Sequence, residues 1–247
     1  MNIGFQLYSA RNFPLDDVLA MLAALGYTQV EGFKGVYGDP DGLREKLDAN
    51  GLSMPSGHVG LEQLEKPAEV IRLAETLGMK VVICPWLAPG HRPTDAAGWQ
   101  RLGERLQVLA RPYLDAGLTF AYHNHDFEFA RFADGYGLDL LLAAAPDVAA
   151  EVDVAWIARG GADPEPWLKK FGHRIVATHV KDIAPAGQNA DEDGWADIGH
   201  GVLPWEQLLA TARKVTAAKY FMVEHDNPAD VRRFASRSIA ALRTFGA

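Results

Sequence analysis

The segment LTFAYHNH, residues 118–125, begins with apolar and aromatic residues and ends in two histidines. A short run of this composition, bounded by turn residues, is typical of a β-strand. Its polar end places two imidazole groups where the strand meets the next loop. The same arrangement, an apolar start and an ionisable end, recurs along the chain and decides the predicted fold.

Seven further strands are predicted, and amphipathic helical stretches such as 14–26, 67–78 and 203–217 alternate with them. The strands are IGFQLY (3–8), TQVEGF (28–33), LSMPSGH (52–58), KVVICPW (80–86), AAEVDVAW (149–156), RIVATHVKD (174–182) and KYFMVEHD (219–226). Strands that alternate with helices form parallel sheets. Eight such cycles in 247 residues favour a closed (β/α)₈ TIM barrel, a single domain over residues 1–247, rather than an open doubly wound sheet.

Two connections depart from the regular pattern. Residues 130–145 contain a turn, ADGYG, and only a short helical run, LDLLLAAA. Residues 184–202 are rich in Gly, Asp and Asn and are long for a barrel loop, so we predict a lid or a loop that contacts the substrate.

Composition excludes several classes of protein. The formal net charge of −8 disfavours nucleic acid as a partner, because proteins that bind it usually present a basic face. A single cysteine, Cys84, and an N-terminus without a signal-like segment point to the cytoplasm. No apolar run approaches the roughly 20 residues that a membrane helix needs. The composition is compatible with a homo-oligomer as well as with a monomer.

Polar and ionisable side chains are concentrated at the predicted carboxyl ends of the strands. In a parallel barrel these ends all lie at the same mouth. Alternation along a strand puts His123 and His125 on one face. Carboxylates mixed with imidazoles predict one divalent metal ion, Mn²⁺, Co²⁺, Fe²⁺ or Zn²⁺, which would polarise a sugar carbonyl and stabilise an enediolate. The strand-end residues are Gln6, Tyr8, Glu31, His58, Trp86, His123, His125, Glu151, Asp153, His179, Lys181, Glu224 and Asp226.

Asp153, His179 and Glu224 end three different strands, and together with His123 they favour the metal site. Each of the other residues has a structural alternative. Glu151 is either part of the site or a buried partner of a neighbouring His or Lys, and Glu31 is a candidate for a deep salt bridge. Aromatic side chains fill the barrel top or form a wall of the sugar pocket. Predicted substrate contacts are Gln6, Tyr8, His58, Trp86, Trp156 and Lys181.

Four motifs resemble the xylose isomerase-like TIM barrels of the sugar phosphate isomerase/epimerase superfamily. They are YHNHDFEF (122–129), EVDVAW (151–156), HVKD (179–182) and VEHD (223–226). The likeness extends to GFQLYS near the start of the chain, to SGH in the third strand and to DIGHGVLPW from residue 197.

The resemblance implies a metal ion held by Glu, Asp, His and Glu at the ends of strands five to eight. Asp153, His179 and Glu224 match the last three. Strand five has His123 instead of Glu, so either His123 is the fourth ligand or Glu128 bends back to supply a carboxylate.

The resemblance also implies catalytic roles for residues near the metal. His125 is then available as an acid or base, and Lys181 contacts a hydroxyl, carbonyl or phosphate of the substrate and helps to stabilise an enediolate. Glu224 is a candidate for both ligand and base, with Glu128 opposite.

The predicted function is a metal-dependent isomerase or epimerase of a small sugar, keto-sugar or sugar phosphate. The alternative is a lyase with the same site, which dehydrates an inosose or cleaves a 3-keto-glycoside by β-elimination. An enzyme similar to endonuclease IV is a remote alternative, opposed by the acidic charge and by too few metal ligands. A non-catalytic barrel that binds a sugar is the last one.

Overall fold

A computed structural model describes residues 2–246. Eight parallel strands pair in chain order, and the last closes against the first, so the predicted (β/α)₈ barrel is confirmed. The strands are β1 (Asn2–Gln6), β2 (Gln29–Gly32), β3 (Ser53–His58), β4 (Val81–Cys84), β5 (Thr119–His123), β6 (Ala149–Asp153), β7 (Ile175–Val180) and β8 (Tyr220–Val223).

The helices begin and end where local chemistry dictates. Gly26 ends the first helix with a φ of 87°, a left-handed conformation that glycine adopts without strain. Asp39, Asp95 and Asp230 each accept a backbone N–H at a helix start. The helices are α1 (Leu15–Leu25), α2 (Pro40–Ala49), α3 (Leu61–Leu64), α4 (Pro67–Leu77), α5 (Ala96–Asp115), α6 (Gly137–Ala144), α7 (Val154–Arg159), α8 (Pro164–Phe171), α9 (Trp205–Val215) and α10 (Val231–Thr244).

The apolar core has two parts. The larger part packs strands against the surrounding helices, and a smaller cluster formed by Val81, Ile83 and Ala121 is separate from it. Beyond these residues the strands carry buried polar groups. Gln6 and Glu31 are register partners between β1 and β2, and His123 and Glu151 are partners between β5 and β6. A polar layer therefore lies near the strand ends.

Several strands are shorter than predicted. The predicted strand 149–156 stops at Asp153, because the Asp153 carboxylate accepts the backbone N–H of Trp156 and begins α7. The strand predicted over 118–125 stops at His123. His125 and Trp156 therefore lie beyond the strands, where the alternation of side chains no longer applies.

The long connection after β7 is folded rather than open. Asp182–Ile183 pairs antiparallel with Trp195–Ala196. The connection between β5 and β6 contains a second small hairpin, Arg131–Phe132 with Gly135–Tyr136, before the short helix α6 that the sequence predicts. Within residues 2–246, every helix is too short or too polar to cross a lipid bilayer.

Candidate functional site

A cavity of about 460 Å³ opens at the carboxyl ends of the strands. Six of the predicted site residues contribute to its wall, namely Tyr8, His58, Trp86, His123, His125 and Glu224. The remaining wall is formed by Phe33, Lys34, Gly60, Pro85 and Asp226. The cavity thus lies where the topology of a parallel barrel predicts an active site.

Three of the four predicted metal ligands form one cluster, which we call the outer ligand group: Asp153, His179 and Glu224. One ligand atom from each lies within 4.8 Å of those from the others, and all three residues are buried. His179 Nδ1 lies 3.0 Å from Glu224 Oε2 and 4.0 Å from Asp153 Oδ2. Asp153 Oδ2 is buried and has no hydrogen-bond partner. A carboxylate oxygen left free beside an imidazole and a second carboxylate fits a divalent cation.

His123 belongs to a second cluster, the inner ligand group, which consists of His58, His123, Glu151 and His179. Glu151 Oε2 lies 2.7 Å from His58 Nε2, 3.1 Å from His123 Nδ1 and 3.2 Å from His179 Nε2. His179 is shared, since its two ring nitrogens face different groups. His123 as fourth ligand of the outer group stays a prediction.

Glu31 lies against the inner ligand group in a salt bridge of the kind anticipated for it. Its Oε1 is 2.7 Å from His179 Nε2 and accepts a hydrogen bond of 2.7 Å from the Gln6 amide. Ser56 donates to its other oxygen at 2.5 Å. The Gln6 side-chain oxygen accepts the backbone N–H of Tyr8. Gln6 is fully buried, so its observed contacts are structural, and its substrate contact stays a prediction.

Glu128 is buried apart from both groups. Its oxygens accept hydrogen bonds from the Tyr122 hydroxyl at 2.7 Å and from the backbone N–H of His125 at 2.9 Å. Burial raises the pKa of Glu128 to about 8, despite these hydrogen bonds. Its carboxyl group holds the turn that carries His125. Its role as ligand or as an acid or base opposite Glu224 stays a prediction.

Lys181 is a fully buried cation between carboxylates and aromatic rings. Its Nζ lies 2.5 Å from Asp226 Oδ2 and 3.2 Å from Glu224 Oε2. It also lies 4.1 Å from the ring centre of Trp195 and 5.0 Å from that of Trp156. Burial alone would lower the pKa of Lys181, but the surrounding carboxylates raise it above its ordinary value. Lys181 is therefore charged.

Burial and the charges around the cavity shift the pKa values of its ionisable groups in different directions. Burial favours the neutral form of Glu224, yet Lys181 and His179 hold its pKa well below the ordinary value. Burial and Glu224 raise the pKa of Asp153 to about 7, although Lys181 acts in the opposite sense. Burial and the Lys181 charge lower the pKa of His125 to about 3. His125 is therefore a neutral imidazole at pH 7.

Aromatic rings form the outer wall of the site. Trp86 is 46% exposed and Tyr8 is 38% exposed, which is high for side chains of this size. Phe33 packs edge-on against Tyr8, with 5.4 Å between ring centres. Trp156 lies 5.3 Å from the His125 ring. Exposed aromatic faces beside polar groups are typical of pockets that bind amphipathic ligands.

Two features of the site carried no predicted role. Asp226 is the second carboxylate, with Glu224, that contacts Lys181. Its position two residues after Glu224 in VEHD could have predicted this contact. Trp195 comes from the 184–202 loop and packs on Lys181. No periodic pattern surrounds Trp195, so sequence reasoning had no signal for this contact.

The protein is a parallel eight-stranded TIM barrel, and the carboxylates and imidazoles buried at its mouth could hold a metal ion. The sequence model of one such family, described as xylose isomerase-like TIM barrel, matches residues 19–244. The chain belongs to this family.

Three known proteins are similar to this chain in sequence or in fold. An inosose dehydratase of Geobacillus kaustophilus (strain HTA426) is 26% identical over 195 residues, which are 70% of this chain; the match spans 63% of that protein's length. A sugar phosphate isomerase/epimerase structure from Parabacteroides distasonis ATCC 8503 has a TM-score of 0.78 at 23% identity, covering 98% of this chain and 93% of that one. An IolI protein with a bound zinc atom has a TM-score of 0.76 at 15% identity, covering 100% and 96%.

Proposed function

We propose that the protein is a metal-dependent isomerase or epimerase of a small keto-sugar or sugar phosphate. The observation that carries this proposal is the free carboxylate oxygen of Asp153, buried beside His179 and Glu224. These three residues would hold the ion, with His123 as the predicted fourth ligand. The zinc atom of the IolI protein, a structure with the same fold, supports the presence of a cation. When bound, a divalent ion (Mn²⁺, Co²⁺, Fe²⁺ or Zn²⁺) polarises the carbonyl and hydroxyl oxygens of a sugar.

His125 is the proposed base for the proton next to the substrate carbonyl. It lines the cavity, is neutral at pH 7, and its Nδ1 is buried without a hydrogen-bond partner. Removal of that proton leaves negative charge on the substrate oxygen. The ammonium group of Lys181 would stabilise that charge, and Glu224, ionised between Lys181 and His179, is the second candidate for moving the proton.

The cavity supports a small polyol as substrate. Its volume of about 460 Å³ falls within the roughly 300–1,000 Å³ of small-molecule sites. Tyr8 and Trp86 offer ring faces to the C–H face of a sugar, and His58 offers a polar contact from the cavity wall. Trp156, which packs against His125, stays a predicted contact. The net charge of −8 and the single cysteine support a cytoplasmic enzyme without a nucleic-acid partner.

A dehydratase is the second candidate, favoured by the similarity to an inosose dehydratase. It requires the same first step. Once the proton beside the carbonyl is removed, the electron pair expels a hydroxyl group from the β carbon, which leaves as water after accepting a proton. The outcome depends on whether the protein returns a proton to carbon or delivers it to the departing β-hydroxyl.

Incubation of the metal-loaded protein with a panel of keto-sugars, sugar phosphates and inososes in D₂O tests both candidates. Deuterium incorporation with the mass otherwise retained is expected for an isomerase or epimerase, whereas a product that has lost one molecule of water identifies a dehydratase. The Asp153→Asn protein is the control and should do neither. If wild-type protein loaded with each of the four metals exchanges no carbon-bound proton in any substrate, the proposal fails.

A further inference from the structure

The hydrogen-bonded ladder between β5 and β6 ends before Asp153. Its last register pair joins His123 of β5 to Glu151 of β6, two residues short of Asp153. β5 stops at His123, and a loop begins at Asn124. The backbone N–H and C=O groups of Asp153 therefore lie beyond the last residue of the neighbouring strand on this side. Buried backbone groups need hydrogen-bond partners, so another part of the chain must supply them.

The side chain of Asn124 supplies both partners. Its Oδ1 accepts the backbone N–H of Asp153 at 3.1 Å, and its Nδ2 donates to the Asp153 carbonyl oxygen at 3.1 Å. A primary amide carries a donor and an acceptor side by side, so one Asn side chain can replace both bonds of a strand. Asn124 is 1% exposed, so water has little access to these bonds. The amide therefore connects the start of the loop after β5 firmly to the end of β6.

These bonds act on the residue that carries the free carboxylate oxygen. Asp153 Oδ1 accepts the backbone N–H of Trp156 at 2.9 Å, whereas Oδ2 is buried without a partner. On its other side Asp153 is the register partner of His179, and Oδ2 lies 4.0 Å from His179 Nδ1. The backbone and one carboxylate oxygen of Asp153 are thus held in place. Oδ2 therefore lies beside the other members of the outer ligand group before an ion binds.

We propose that Asn124 is a positioning residue of the metal site, which acts by holding Asp153. The inference rests on the proposed function, in which Asp153 is a ligand. Asn124 is not a ligand itself, since both polar atoms of its side chain bond the backbone. A ligand that is already held in place loses less conformational freedom when the ion binds. Loss of the Asn124 amide should therefore weaken metal binding by about 10–100-fold, the range typical of residues that support a ligand.

Titration of the metal-free protein with Co²⁺ tests the proposal, with calorimetry for the affinity and visible absorption for the ligands of the bound ion. Asn124→Leu keeps the approximate size of the side chain but removes its donor and its acceptor. It should weaken Co²⁺ binding by about 10–100-fold. At saturating Co²⁺ its absorption bands should differ from those of wild type, because Asp153 no longer holds its position. A role in the fold alone would change the stability and leave these bands unchanged.

Two control variants remove comparable bonds elsewhere. Gln107→Leu removes an amide at the other end of β6, where Gln107 accepts the backbone N–H of Asp147 at 2.9 Å and donates to its carboxylate at 2.7 Å. Tyr113→Phe removes a buried hydroxyl that donates to the Leu64 carbonyl at 2.7 Å. Both controls should keep the affinity and the absorption bands of wild type. An equal loss of affinity in either control would assign the effect to stability and overturn the proposal.

The measurements separate the positioning role from the proposed function. Wild-type affinity and bands in Asn124→Leu, with binding lost in Asp153→Asn, would overturn the positioning role and leave the proposed function intact. Wild-type binding in Asp153→Asn would instead show that Asp153 is not a ligand, so that the proposed function fails as well. Circular dichroism checks the fold of each variant. If Asn124→Leu does not fold, Asn124→Ser decides, because its shorter side chain cannot bond both backbone groups of Asp153 and the same losses are expected.

Discussion

Asp153 and Asp182 are both fully buried carboxylates, at the ends of consecutive strands, but they accept different numbers of hydrogen bonds. Asp182 accepts four backbone N–H groups, from Ile183, Gly199, Gly201 and Leu203, at 2.9–3.1 Å. Asp153 accepts one, from Trp156, and leaves its second oxygen free. A carboxylate whose two oxygens both accept hydrogen bonds, as in Asp182, stabilises a loop. A carboxylate with one oxygen that accepts none, as in Asp153, can bind a ligand from outside the chain.

Asp153→Asn should give the largest effect of this comparison. Loss of the free carboxylate oxygen should weaken Mn²⁺ or Zn²⁺ binding to the outer ligand group by more than about 100-fold, beyond the 10–100-fold typical of residues that only support a ligand. The metal-free variant should be as stable as wild type or more so, because a neutral amide removes an under-compensated buried charge. Isothermal titration calorimetry and urea unfolding measure the two quantities. Unchanged affinity would remove Asp153 from the site.

Asp182→Asn should reverse that pattern. The amide nitrogen replaces an oxygen that accepts backbone N–H groups, so we expect a loss of about 3 kcal/mol in the free energy of unfolding. Metal affinity should change less than about threefold, since Asp182 touches neither ligand group. Asp115→Asn, at an exposed carboxylate paired with Arg111 near the end of α5, is a control with little expected effect. A stable Asp182→Asn protein would show that its hydrogen bonds do not organise the loop.

Glu192 connects the loop after β7 to α10, and its ionisation should make the stability of the fold depend on pH. It accepts hydrogen bonds from Arg233 Nη2 at 2.7 Å and from the backbone N–H of Ala229 at 2.6 Å. Burial favours its neutral form, but these groups lower its pKa below 4.5. Because the folded-state pKa is lowered, the ionised group stabilises the fold above the unfolded pKa, and this contribution is lost as pH falls through the folded value.

Glu192→Gln should therefore cost about 1–2 kcal/mol at pH 7, where one charge-assisted hydrogen bond is lost. The difference from wild type should shrink below pH 4.5. Urea unfolding of both proteins at several pH values measures it. A difference that stays constant from pH 7 to acid would mean that the charge of Glu192 contributes nothing.

Trp86→Ala should give the smallest effect. Trp86 is 46% exposed at the cavity wall, so its removal should leave the free energy of unfolding within about 0.5 kcal/mol of wild type. If the ring binds the sugar uniformly in ground and transition states, KM should rise about tenfold with kcat unchanged. Val108→Ala, at an exposed side chain on α5, is the matched control. An unchanged KM would assign Trp86 no part in binding.

Sequence reasoning predicted the barrel because each strand and helix carries its own local pattern, and parallel topology then brings the strand ends together. The convergence of Asp153, His179 and Glu224 follows from that topology alone. The depth of each side chain does not. His123 is level with Glu151, and Asp153 with His179, because of the register between neighbouring strands, which one strand's sequence does not contain. Likewise, Glu128 turns away through its bond to Tyr122, a contact set by three-dimensional packing.

The loop after β7 is fastened near its base, by Asp182, and at Glu192 and Asp197, which bond Arg233. Residues 186–190 between these points are exposed. Asn227, next to Asp226 of the cavity wall, donates to the Asp191 carbonyl just beyond them. Insertions in 186–188, before Asn189, which donates to the Trp195 carbonyl, would lengthen the exposed tip without moving a predicted ligand. This exposed tip is therefore the part of the loop in which changes of chain length are tolerated, while the carboxylates that fasten the loop stay in place.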